Sequence, residues 1–241
     1  MKNVKIAESA VIEDDVEIGE GTVIKEGVII RSGTRIGKNN IIFPYAVIGE
    51  EPQDLRFRGE RSGVIIGDGN IIREFVTIHR AAGEGENTII GNGNYLMAYV
   101  HVGHNARIGN GAILVNGATL GGYAEVHDHA YISANVAVHQ FTRVGEYAIV
   151  GGGFRVTKDV IPYALAAGEP LRIYGVNFLG LRRCGFSQEK REIIKEAIRI
   201  LTRMGLNTSQ AVERIRRELP DIEEIRKLLR FIETSKRGIA K

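Results

Sequence analysis

Tryptophan is absent from this chain of 241 residues, and cysteine occurs once, as Cys184. A single thiol excludes an internal disulfide framework and fits a reducing compartment. No apolar run approaches the roughly 18 residues that a membrane-spanning helix needs. The N-terminal stretch MKNVKIAESAVIEDDVEIG lacks the apolar core of a signal peptide. Together these absences predict a cytoplasmic protein with no stable membrane insertion. Glycine is plentiful instead, at 30 residues, which suits a turn-rich, repetitive architecture.

The formal net charge is +3, but its distribution is uneven. From Arg182 to Lys241 there are 16 Lys/Arg against 9 Asp/Glu, so this tail is basic while the rest of the chain is mildly acidic. A basic module on an acidic body suits an acidic partner.

The organisation shows as a repeat of six. Aliphatic residues fall at Ile6, Ile12, Ile18, Ile24, Ile30, Ile36, Ile42 and Ile48. They resume at Ile66, Ile72 and Ile78, then run from Ile90 and Leu96 to Val156. Up to that point only Asp54, Glu60 and Glu84 break the rule. A small or β-branched residue stands two positions before most of them, as Val4, Ala10, Val16, Thr22 and Val28 do. An α-helix, with its period of 3.6, cannot produce this pattern. It predicts a parallel β-helix of hexapeptides, three per triangular coil, with coils of 18 residues stacked about 4.8 Å apart. The repeat length resembles that of left-handed members of this class.

Two polar interruptions, at about 50–63 and 79–88, predict loops that leave the prism without losing the phase. Loops on a rigid scaffold often carry function. The β-helix is expected to occupy residues 1–180 and a small α-helical domain residues 181–241. In the latter, Ser187 reads as a cap before Ile193, Ile194, Ala197, Ile198 and Leu201. Thr208 or Ser209 reads as the cap of a second helix that Pro220 ends, and Ile222, Ile225, Leu228, Leu229 and Ile232 mark a third.

The segment HVGHNARIGNGAILVNGATLGG (101–122) raises the question of function. Residues 18 apart stack in adjacent coils, so His104 lies beside Gly122 and Gly122 beside Gln140. His139 lies beside Gly121. His101 and His104 flank the inward Val102 and should both face outward. Histidine titrates near neutrality, as a general base must, and a backbone N–H without a side chain can approach a developing oxyanion. A tolerated glycine beside a surface histidine would have the same spacing. A lone prism has no deep cleft, so the site is expected to form against neighbouring prisms, most simply in a closed homotrimer. Metal is not expected: prism-fold zinc enzymes space two histidine ligands five residues apart, and no histidine lies five before His104.

Longer motifs carry a resemblance. GEEPQDLRF (49–57), IGDGNIIREFVTIHR (66–80), the 101–122 segment, NVAVHQF (135–141) and GVNFLGLRRCGFS (175–187) are similar to segments of the acyl-carrier-protein–UDP-N-acetylglucosamine O-acyltransferases that begin lipid A synthesis. The resemblance covers nearly the whole chain. It implies transfer of a 3-hydroxy fatty acyl group to the sugar 3-position, with His104 as base and Gly122 as oxyanion donor. It places His101, His139 and Gln140 along the site. Gln53, Asp54 and Arg56 fall on the loop contacting sugar and donor, and Asn177 and Arg183 near the nucleotide or phosphopantetheine. Gly152 falls on the acyl-chain ruler. The implied partners are acyl carrier protein, which brings the phosphopantetheine, and a UDP-sugar. No bound cofactor, metal or nucleic acid is implied.

The sequence departs from the family pattern at four positions. Asn105 stands where an acid often follows the base, and Tyr123 where a histidine often follows the glycine. Leu179 and Cys184 replace an acid and an arginine. Some family members acylate a 3-amino acceptor, and the sequence leaves both acceptors open. Rival expectations are the related N-acyltransferase, a coenzyme-A-dependent acetyltransferase of the same fold and a non-catalytic scaffold. The N-acyltransferase usually has an extra N-terminal domain, whereas hexads here begin at Ile6, and the acetyltransferase usually lacks the basic helical tail.

Overall fold

A computed structural model describes residues 3–241. Two-residue strands recur at each hexad, from Lys5–Ile6 to Arg155–Val156, with slightly longer ones beside the loops. They form three sheets of ten, eight and seven strands. Pairing is parallel throughout, except where Ala164–Ala167 turns back on Arg172–Val176. The chain is a left-handed parallel β-helix followed by helices.

The register explains how the loops keep phase. Most partners are 18 apart, as Val102 and Leu120 are. Across the first loop Ile36 pairs with Ile66, and across the second Ile66 pairs with Ile90. The insertions are therefore whole hexads. They occupy the chain between Val47–Glu50 and Gly63–Ile66, and between Thr77–His79 and Asn87–Ile90. The three breaks at Asp54, Glu60 and Glu84 all lie within them.

Within a strand, alternate side chains share a face. The sixth-position aliphatic and the small residue two before it therefore both point inward. Ile48 and Ala46, Val102 and Val100, and Leu120 and Ala118 are completely buried. This makes one continuous core along the prism axis, closed along one corner by a buried ladder of asparagines. Asn40, Asn70 and Asn94 bond to one another and to backbone carbonyls, which satisfies amides that would otherwise be orphaned.

Four helices follow: α1 (Phe178–Arg183), α2 (Gln188–Arg203), α3 (Thr208–Glu218) and α4 (Glu223–Glu233). Ser187 caps α2 by accepting from the Lys190 amide. The α3 cap is Asn207, not Thr208 or Ser209. Its side chain accepts from the Gln210 amide while Gln210 bonds back to the Asn207 amide. This reciprocal pair satisfies two free donors, which one hydroxyl at the next position could not do. The short α1 has no apolar periodicity and escaped sequence reading. Asp159 anchors the helical region on the prism: fully buried, it accepts from the Arg143 amide and guanidinium and from the Ser235 hydroxyl.

Candidate active site

The corner between the second and third sheets repeats one geometry in three successive coils. Asn105, Tyr123 and Phe141 sit there with φ of 58°, 59° and 62°. The residues just before them, His104, Gly122 and Gln140, form a column. A Cβ on Gly122 would stand 2.5 Å from His104 Nε2. The Nε2 end of the imidazole therefore stands against bare backbone one coil away. The Gly122 amide donates to no protein acceptor among the described residues.

His104 Nδ1 lies 2.9 Å from Asn105 Oδ1, and the His104 ring meets the Tyr123 ring edge-on at 5.5 Å. Asn105 thus holds the far side of the ring without placing a charge there. His104 is half-buried, with Nε2 toward an open cleft of about 350 Å³ lined by Gln53, His79, His101, His104, Gly122 and Gln140, among others.

His101 Nδ1 bonds the Thr77 hydroxyl at 2.8 Å. Burial pushes its pKa down to about 4, with further lowering from His79 and His104. It is therefore a neutral imidazole near pH 7, suited to hydrogen bonding and not to charge. On the first loop, Asp54 forms a bidentate pair with Arg56 at 2.9 and 3.1 Å. That hydrogen bonding holds the Asp54 carboxyl down to about 2, with a smaller contribution from His104. The carboxylate is thus ionised near pH 7.

The structure brings Gln53, His101, His104, Gly122, His139 and Gln140 to one cleft. Gly152 sits exposed at the other edge of the same sheet face, before strand Arg155–Val156. Asn177 and Arg183 lie outside this cleft. Asn177 caps α1 and donates to the Tyr147 carbonyl, and Arg183 is exposed in the last turn of α1. His79 was not identified from sequence. It is buried, its ring 5.2 Å from that of His101, and it bonds the Glu51 carbonyl at the root of the first loop. A signal existed: at the same place in the six-residue phase stand Gly49, Gly103 and Gly121. Among the described residues, no group of three or more His, Cys, Asp or Glu is placed to hold a metal ion, and no helix is long and apolar enough to cross a membrane.

The family model described as Udp N-acetylglucosamine O-acyltransferase, domain 2, matches residues 159–240, and that described as bacterial transferase hexapeptide matches residues 87–122. An acyl-[acyl-carrier-protein]–UDP-N-acetylglucosamine O-acyltransferase of Thermodesulfovibrio yellowstonii is 48% identical over 100% of this chain and 93% of its own length. The protein of the same description in Myxococcus xanthus is 43% identical over 86% of this chain and 80% of its own. The solved structure of a UDP-N-acetylglucosamine acyltransferase from Bacteroides fragilis superposes with a TM-score of 0.89 at 45% identity. It covers 99% of this chain and 98% of that one.

Proposed function

The chain belongs to the UDP-N-acetylglucosamine O-acyltransferase family and is an acyltransferase, and we propose that His104 is the general base of its reaction. The donor is a fatty acyl thioester on acyl carrier protein. The acceptor is the 3-position of UDP-N-acetylglucosamine or its 3-amino analogue. The product opens lipid A synthesis.

His104 Nε2 takes the proton from the sugar nucleophile as that atom attacks the thioester carbonyl. The carbonyl oxygen gains the negative charge and accepts the free Gly122 N–H. When the tetrahedral intermediate collapses, the carbon–sulfur bond breaks and the phosphopantetheine thiolate leaves. The imidazolium returns its proton to that sulfur, so acid and base are one residue used twice. The ionised Asp54, fixed by Arg56, accepts from sugar hydroxyls, and Gln53 flanks it. His101, His139 and Gln140 shape the remaining wall. Arg183 and Asn177 reach the nucleotide or phosphopantetheine of a site completed by a neighbouring subunit in a trimer, and Gly152 limits acyl length. The acidic carrier docks on the basic tail.

The observation that carries this reading is the contact of His104 Nε2 with bare backbone at Gly122 in an open cleft. Mass spectrometry tests it, with hydroxyacyl-carrier proteins of several lengths and the two acceptors in competition. One acylated UDP-sugar is expected. His104→Ala should lower its formation by about 10²- to 10⁴-fold, the usual worth of general acid–base catalysis. A variant that keeps wild-type turnover removes His104 from the role. Light scattering at three chain masses checks the trimer.

A further inference from the structure

The second loop does more than interrupt the prism. Asn105 is buried, and its amide is held from both sides by one residue of that loop. Oδ1 accepts from the Ala82 N–H at 2.8 Å, and Nδ2 donates to the Ala82 carbonyl at 3.0 Å. These two bonds settle which end of the amide is which. The oxygen, and not the NH₂, faces His104 Nδ1. An oxygen there requires hydrogen on Nδ1, which leaves the lone pair on Nε2, the atom that faces Gly122. The Asn105 backbone is also held, its N–H bonded to the Thr88 hydroxyl at 2.9 Å. Its left-handed φ is one that asparagine tolerates better than most residues.

The same loop is joined to the loop that bears Gln53, Asp54 and Arg56. Arg80 donates its backbone N–H to the Glu50 carbonyl, pairs with Glu51 at 3.2 Å and lies over the Phe57 ring. The Arg61 amide donates to Glu84, and the Gly85 amide to the Arg61 carbonyl.

We infer that the 80–86 loop is a positioning element: through Ala82 and Asn105 it sets the tautomer of His104, and it ties that setting to the substrate loop. Asn105 is a positioning residue, and a carboxylate in its place opposes the loop. One aspartate oxygen would face the Ala82 carbonyl with no proton between them. This inference rests on His104 being the base. The groups that face His104 are Asp54 from the first loop, His101 from its own strand and Tyr123 from the next coil. None of them supplies the Nδ1 acceptor.

The test uses the full-length protein, with steady-state acyl transfer measured from pH 5 to 9. Asn105→Ala should lower kcat by about 10- to 100-fold, as loss of outer partners does at other histidine sites. The KM for UDP-sugar should stay within about twofold, because substrate contacts are untouched. Asn105→Asp should move the acid limb of kcat/KM to higher pH, since a carboxylate at Nδ1 stabilises the imidazolium. Ala82→Pro removes the N–H that sets the amide. It should lower kcat alike and add nothing to Asn105→Ala, as members of one unit behave. In ¹⁵N spectra the wild-type His104 ring should show hydrogen on Nδ1, and Asn105→Ala and Ala82→Pro should each lose that bias. Full kcat in Asn105→Ala beside an inactive His104→Ala overturns the positioning role and leaves the base in place. Full turnover in His104→Ala overturns both. If Ala82→Pro does not fold, an acid limb unmoved in Asn105→Asp overturns the inference.

Discussion

The three heavy atoms nearest to a Cβ on Gly122 all belong to the ring of His104: Nε2 at 2.5 Å, Cε1 at 2.7 Å and Cδ2 at 3.1 Å. The nearest obstacle is a side chain and not backbone. A methyl group there would displace the imidazole and leave the coil intact. The two coils are therefore fitted to each other at the point where chemistry is proposed.

Gly122→Ala should fold normally and lose activity. The new methyl pushes the base aside and crowds the amide that would receive the oxyanion. Loss of one such donor typically costs about 10²- to 10³-fold in kcat. Gly121→Ala is the control. Its Cβ would meet the backbone amide of Gln140 at 2.8 Å, so it should lower the melting temperature as well. Equal melting losses in both variants would show that Gly122 serves packing and not chemistry.

His101 should make stability depend on acid. Its folded pKa lies near 4, below the ordinary histidine value of 6.5. The unfolded chain therefore binds more protons between those limits, and stability rises with pH across that window. It is fully present above pH 6.5 and is lost as pH falls toward 4. His101→Gln keeps a partner for Thr77 but cannot titrate. The difference in melting temperature between the two proteins should shift by several degrees between pH 7 and pH 4.5. A constant difference would mean that His101 titrates normally.

How legible the molecule was depends on which residues depend on the repeat. The inward ladder, both loops and the pairing of His104 with Gly122 follow from counting in sixes and eighteens, because a solenoid converts sequence distance into space directly. Asn105 was legible only as a departure from a family pattern. What it touches, Ala82, is 23 positions away across a loop, and no period reports a loop's path. His79 was hidden similarly, because its bond to Glu51 depends on where the first loop leaves the prism. The Asn207 cap was misplaced by one or two residues because two hydroxyl residues followed it and drew the assignment inward. Arg183 and Asn177 were named by resemblance alone, and in the single chain they stand away from the cleft.

Asp159 should be the most costly polar residue to remove. Its side chain is 1% exposed and pairs with Arg143, itself 16% exposed, at 3.1 Å. Its backbone also bonds Gly238 and Ala240. Breaking such a pair leaves a charge without a partner and typically costs about 3–5 kcal/mol. Asp159→Ala should therefore lower stability by that order. It should also raise amide exchange along α4 and residues 234–241, while the early coils stay protected. Uniform exchange along the whole chain would mean that prism and helices unfold as one unit.

Gly152→Met should shorten the acyl chain the enzyme prefers. Gly152 is exposed, and the atoms nearest to a Cβ there would be the Ala134 carbonyl oxygen at 3.2 Å, the Ser133 Cβ at 3.8 Å and the Ala134 amide nitrogen at 3.9 Å. The Ala134 carbonyl must give by a few tenths of an ångström to admit a side chain, and the added atoms extend outward. Strand Arg155–Val156 pairs with Ala137–Val138, which leads into His139 and Gln140 of the cleft. An extended chain that leaves the cleft along this sheet face reaches the Gly152 corner at its far edge. Each methylene denied burial costs about 0.8 kcal/mol, so losing two should weaken the longer donor by about tenfold relative to a shorter one. Competition between carrier proteins of different acyl length measures this ratio directly. Because the substitution lies away from His104, turnover with the best short donor should remain near that of the wild type. An unchanged chain preference would remove Gly152 from the acyl path and direct the chain along another face of the prism.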